Sequence, residues 1–92
     1  MPVQLSVKRM PVSKSAMLIP SQLRAARALL DWSRQDLADR SGTSPAAIQN
    51  FEALGSDPKL STLRKWRQAL ETAGVEFLDG DAARGAGVRH RR

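Results

Sequence analysis

Ninety-two residues, 41% hydrophobic and 26% charged, bound this chain to one small globular domain with a single core. The lack of cysteine excludes a disulfide framework and a thiolate metal site, and a single histidine, His90, argues against a protein-built zinc centre. Fifteen Lys and Arg against nine Asp and Glu give a net charge of +6, which points toward an anionic partner. The excess lies at the ends: residues 1–20 and 81–92 carry +3 each, while residues 21–80 balance eight bases against eight acids.

Residues 1–18 are read as an N-terminal extension, either an arm or disordered. Val3, Leu5 and Val7 alternate weakly with Gln4 and Ser6, and Pro2 and Pro11 interrupt the stretch. Lys8, Arg9 and Lys14 break any apolar run that a signal peptide would need, and nowhere do about 18 consecutive apolar residues offer a membrane span. The patterned region begins immediately after Met17, which makes that residue a candidate start.

The period then becomes helical. Leu23, Ala26 and Leu30 mark a helix over about 21–31, with Ser21 as its expected N-cap. Ser33 and Asp36 form a capping-box pattern that opens a second helix, closed after Ser41 by Gly42 in the left-handed conformation. Ser44 and Pro45, as N-cap and first helical residue, open a third helix over about 44–53 with Ala47, Ile48 and Phe51 on its apolar side. After the turn Gly55-Ser56-Asp57-Pro58, Ser61 is expected to cap a fourth helix carrying Leu63, Trp66 and Leu70, ended by Gly74. Val75–Phe77 and Gly87–His90 read as two strands of a C-terminal hairpin joined by the loose stretch 79–87, with a basic tail after it.

Two short helices joined by a tight turn with Gly form a helix-turn-helix pattern. Ala38 must be small for the helices to approach, Gly42 permits the turn, and Ile48 and Phe51 anchor the second helix so that its other face is free to enter a major groove. The fold class is therefore mainly α: four helices over 19–74 and a short β-hairpin over 75–92.

Residues 19–77 resemble the lambda-repressor/Cro-like helix-turn-helix family, also called the XRE family. The resemblance is carried by Leu23-Arg24-Ala25-Ala26-Arg27, Trp32 to Ala38, Ser41-Gly42-Thr43-Ser44, Ile48-Gln49-Asn50-Phe51-Glu52 and Thr62-Leu63. It implies DNA contacts from Arg34, Gln35, Thr43, Ser44, Pro45, Ala46, Gln49, Asn50 and Lys59, and an ion pair between Arg27 and Glu52. Gln49 and Asn50 have the amide chemistry that pairs with adenine N6 and N7, and the alanine methyls suit thymine. The sequence departs from the family at three places. Arg34 stands where Gln is usual and suits a phosphate, Leu54 stands where Gly is usual, and Pro45 with two alanines replaces more polar residues. Readout of DNA shape gains weight accordingly.

Trp32 and Trp66 fit core packing better than base stacking. Arg64, Lys65 and Arg67 read as the solvated face of the fourth helix, and Arg89 to Arg92 as a tail that adds non-specific phosphate affinity. Asp36, Asp39 and Glu52 have capping or pairing roles, so no catalytic pair, metal cluster or glycine-rich phosphate loop points to an enzyme or a cofactor. The expected function is a sequence-specific regulator that binds double-stranded DNA as a homodimer, in the cytoplasm at the nucleoid. Val75, Phe77 and Val88 are its expected dimer contact, because so small a domain cannot easily cover them. The alternative is an antitoxin or accessory protein of the same fold that binds a protein partner through residues 1–18.

Overall fold

A computed structural model describes residues 17–78 and 85–91 of the chain. These residues form four helices and a two-stranded antiparallel hairpin: α1 (Pro20–Leu30), α2 (Arg34–Ser41), α3 (Pro45–Leu54), α4 (Leu60–Thr72), β1 (Val75–Leu78) and β2 (Gly87–His90). The expected architecture of four helices followed by a hairpin is what the described residues adopt. The alternation of Val3, Leu5 and Val7, the arm reading of 1–16 and most of the 79–87 connection lie outside the described residues.

Local chemistry sets most helix ends. Asp36 N–H donates to Ser33 Oγ at 3.0 Å, and Ser33 N–H donates to the Asp36 carboxylate at 2.9 Å, a reciprocal cap. At α3, Ser44 Oγ accepts from Ala47 N–H at 3.1 Å and Pro45 fills the first helical position. Gly42 and Gly55 close α2 and α3 at φ 72° and 63°, where a Cβ would be strained. Gly55 thus performs one position later the role usual for the residue replaced by Leu54, and α3 gains a residue.

Two expected caps are corrected. Ser21 lies inside α1, which starts at Pro20 after Ile19; the Gln22 side chain reaches back to accept from Ile19 N–H at 3.0 Å. Ser61 likewise lies inside α4, because the Lys59 carbonyl already accepts from the N–H groups of Thr62 and Leu63 at 3.0 and 3.1 Å. In both cases the helix begins earlier because the carbonyl of Ile19 or Lys59 already accepts from the first helical amides, and in α1 the Gln22 side chain serves Ile19 N–H.

Leu23, Ala26, Leu37, Ala38, Ile48, Phe51, Leu63, Trp66 and Leu70 form one core, to which Leu18, Val75 and Phe77 add. Leu18, 1% exposed, moves the domain boundary toward the N-terminus, since it is core and not extension. The hairpin pairs Val75 with His90, Glu76 with Arg89, Phe77 with Val88 and Leu78 with Gly87. Gln22, itself buried, donates its amide to the carbonyls of Leu78 and Gly87 at 3.3 and 3.2 Å and so pins both strands to α1. Val75 and Phe77 are 0% and 8% exposed, so the chain's own helices cover them. Their side chains are not available as a dimer contact, and of the three expected residues only Val88 keeps appreciable exposure.

Candidate nucleic-acid interface

The turn between α2 and α3 is fixed from both sides. The N–H groups of Gly42 and Thr43 both donate to the Ala38 carbonyl, at 2.9 and 3.0 Å. Trp66 Nε1–H, in the centre of the core, donates to Thr43 Oγ1 at 2.9 Å, and Thr43 Oγ1 lies 2.9 Å from Ser41 Oγ. Ser41 Oγ–H is committed to the Leu37 carbonyl at 2.7 Å, so the Thr43 hydroxyl donates to Ser41. The chain of bonds runs in one direction, from indole to helix carbonyl. Thr43, expected to touch DNA, therefore has its hydroxyl engaged within the protein and serves to anchor the start of α3 on α4.

The inward side of α3 is held by Glu52, whose side chain has no exposure. Arg27 donates to it through two nitrogens, Nε to Oε2 at 2.7 Å and Nη2 to Oε1 at 2.8 Å, and Arg34 Nε donates to Oε1 at 3.1 Å. Arg27 also donates to the Trp32 carbonyl at 2.9 Å, and Arg24 Nη1 donates to the Glu52 carbonyl at 2.7 Å. A carboxylate out of water needs such partners, and two charge-assisted guanidinium contacts provide them. The cluster ties α1 and the first residue of α2 to the last turn of α3, so the helix has little freedom to roll.

Arg34 is thus only partly the phosphate ligand anticipated from its position. Its Nε serves Glu52, while its two terminal nitrogens make no hydrogen bond among the described residues, and its side chain is 40% exposed. It sits at the C-terminal end of α3, while Ser44 marks the N-terminal end; together they bracket the helix. Gln35, also exposed, donates its amide to Asp39 at 2.8 Å. The Ser33 backbone N–H, then its hydroxyl, holds the Asp36 carboxyl below its ordinary range.

The outward side of α3 differs in kind. Ala46, Gln49, Asn50 and Ala53 are exposed along it, as is Leu54 at its end, while Ile48, Phe51 and Glu52 are buried opposite. Neither the Gln49 nor the Asn50 side chain makes a hydrogen bond among the described residues, and Pro45 is half-buried at the helix start. Lys59 is exposed just before α4, with no ion pair among those residues. The arrangement is a rigid helix that presents small methyls and two unengaged amides to solvent, with cations beyond its C-terminal end.

Several fastening residues carry no local signal. Gln22 and Arg24 read as ordinary polar positions of α1, since their partners lie far along the chain. Arg67 reads as solvated, yet it donates to the Met17 carbonyl at 2.6 Å and to Glu71 at 3.2 Å, and stacks 4.9 Å from the Phe77 ring centroid. Arg64 and Lys65 are exposed as expected. Val88 packs against the core margin and pairs with Phe77 across the hairpin. A family model described as helix-turn-helix matches residues 23–77. No curated protein matches the chain.

Proposed function

Because the chain belongs to the lambda-repressor/Cro-like helix-turn-helix family of DNA-binding transcription regulators, we propose that it reads operator DNA sequence-specifically with the outward side of α3 in the major groove. The observation that supports this most directly is the exposure of Gln49 and Asn50 without an internal partner, on a helix whose opposite side is locked by Glu52. An amide can bond adenine N6 and N7 together, and the Ala46 methyl suits a thymine methyl. Ser44, Gln35, the free nitrogens of Arg34 and Lys59 hold the flanking phosphates, which set register without reading sequence. Pro45 fixes the direction in which α3 enters the groove.

The protein acts as a homodimer on two half-sites about 34–36 Å apart, at the nucleoid in the cytoplasm. With Val75 and Phe77 committed to the core, the dimer contact of the hairpin falls on Val88 and the exposed strand β2. Arg89 and Arg91 add phosphate affinity that is indifferent to sequence. Occupancy of the operator regulates the adjoining gene, and the protein performs no chemistry of its own.

Selection of bound duplexes from a random pool, followed by fluorescence anisotropy on the recovered sequence, tests this reading. A pseudo-palindromic motif should emerge and bind at least ~10³-fold tighter than random duplex at physiological salt. A pool that shows no enrichment over repeated rounds, with binding that only tracks salt, overturns it.

A further inference from the structure

We infer that the cleft between α2 and α4 is a binding site for a small planar carboxylate. The cleft has a volume of about 570 Å³, within the usual range for small-molecule sites, and none of its lining residues belongs to α3 or to the proposed DNA contacts. Trp32 and Arg40 line it from the α2 side, and Lys65, Gln68, Ala69 and Thr72 line it from α4.

The charge in this cleft is unbalanced. Arg40 and Lys65 both line it, no acidic side chain does, and neither cation forms an ion pair among the described residues. Asp36, one turn before Arg40, is committed to the Ser33 cap. The Arg40 guanidinium lies 4.5 Å from the Trp32 ring centroid. Stacking on an indole orders that group and leaves its N–H donors directed along its own plane, the fork that a carboxylate accepts bidentately. Lys65 supplies a second positive charge, and Gln68 an amide.

The apolar part of the lining selects the body of the ligand. The Ala69 side chain and the part of the half-buried Trp32 indole not covered by Arg40 give the cleft an apolar surface beside the cations. Inorganic phosphate would satisfy the charges and leave this surface wet, whereas an aromatic carboxylate covers it and presents its charge to Arg40. Ser41 also lines the cleft and lies 2.9 Å from Thr43, so an occupant touches the turn that leads into α3. The site stands or falls independently of DNA binding.

Benzoate titrated into the full-length protein, followed by the indole Nε1–H resonances, is the test. Trp32 and Trp66 give one signal each, assigned with Trp32→Phe. Saturable movement of the Trp32 signal is the expected result, with a smaller movement of Trp66, whose indole N–H reaches the cleft residue Ser41 only through Thr43. Arg40→Gln and Lys65→Gln should each weaken binding about tenfold, the loss of one charge-assisted contact. The thermal midpoints of both variants should stay close to that of the parent, because both side chains are exposed. Neutral methyl benzoate should bind much more weakly. The inference is overturned by an equal response to methyl benzoate, unchanged benzoate affinity in both variants, or shifts linear in benzoate concentration. A response to an oligoglutamate peptide but not to benzoate would also overturn it and make the cleft a protein-docking surface.

Discussion

The two sides of α3 use similar polar chemistry to opposite ends. On the inward side Glu52 has no exposure, and Arg27 and Arg34 satisfy both its oxygens, while Arg24 takes its backbone carbonyl. On the outward side Gln49 and Asn50 are exposed and bond to nothing among the described residues. The contrast separates scaffold from readout: a polar group with a full set of internal partners fixes the helix, and one without partners is free to meet a ligand. The Thr43 hydroxyl, with an internal partner on each side, falls on the scaffold side of that contrast.

The largest effect should come from the inward side. Glu52→Gln leaves Arg27 without its carboxylate and should cost about 3 kcal/mol in urea unfolding. That value sits at the low end for a broken buried pair, because Arg27 and Arg34 keep 17% and 40% of their side-chain exposure and regain some hydration. A loss under about 1 kcal/mol would show that the cluster is not what fixes α3.

The outward side should behave in the opposite way. Asn50→Ala should leave unfolding within about 0.5 kcal/mol of the parent yet weaken operator binding by about 1–3 kcal/mol and relax selectivity at one position. Arg34→Ala lies between the two classes because the residue does. It should lose stability, though less than Glu52→Gln, and also weaken binding to all duplexes alike, with the salt slope reduced by about one. If Asn50→Ala destabilises the fold as much as Arg34→Ala does, the division between the two sides fails.

The same contrast governs what the sequence discloses. Ser33 with Asp36, Gly42, and Ser44 with Pro45 were legible because each acts on a neighbour within three or four residues. The periodic core was legible for the same reason, from Leu23 and Ala26 in α1 to Leu63, Trp66 and Leu70 in α4. Gln22 was not: its two carbonyl acceptors lie 56 and 65 residues further along. Arg67 bonds Met17 50 residues back and so looks merely solvated in a local window, and the Trp66 indole N–H finds Thr43 23 residues back, a partner with no local sign. The burial of Val75 and Phe77 was hidden too, since it depends on how α1 and α4 meet over the hairpin. Exposure of Gln49 and Asn50 followed from helical phase, but their lack of internal partners could only be seen once the chain was folded.

Gln22→Ala carries the comparison to the hairpin. Both strands lose their tie to α1, and the two carbonyls lose a donor, a change of about 1–3 kcal/mol. Hydrogen exchange should show it as faster exchange in β1, β2 and the first turn of α1, where Ile19 N–H loses its Gln22 acceptor, with α2 and α3 unchanged. Uniform acceleration across the domain would mean that the hairpin and the helix-turn-helix unit unfold together.

The smallest effect separates two surface carboxylates, Asp36 and Glu76. Asp36 is held low first by the Ser33 backbone N–H and then by its hydroxyl, with Arg40 contributing least, so its partners are mainly neutral dipoles. Glu76 is held low by the Arg89 guanidinium, 2.8 Å away across the hairpin, so its partner is a charge. For both groups the folded value lies below the unfolded one. Their stabilisation is therefore complete above the ordinary carboxylate range and disappears as pH falls through the lowered value. Salt distinguishes them, because it screens an exposed ion pair and leaves a hydrogen bond to a backbone amide largely intact. In a carboxyl-carbon NMR titration, raising sodium chloride to about 1 M should move the Glu76 midpoint up toward its ordinary value while Asp36 stays low. Equal movement of both would mean that charge, and not the helix cap, holds Asp36 ionised at the entrance to α2.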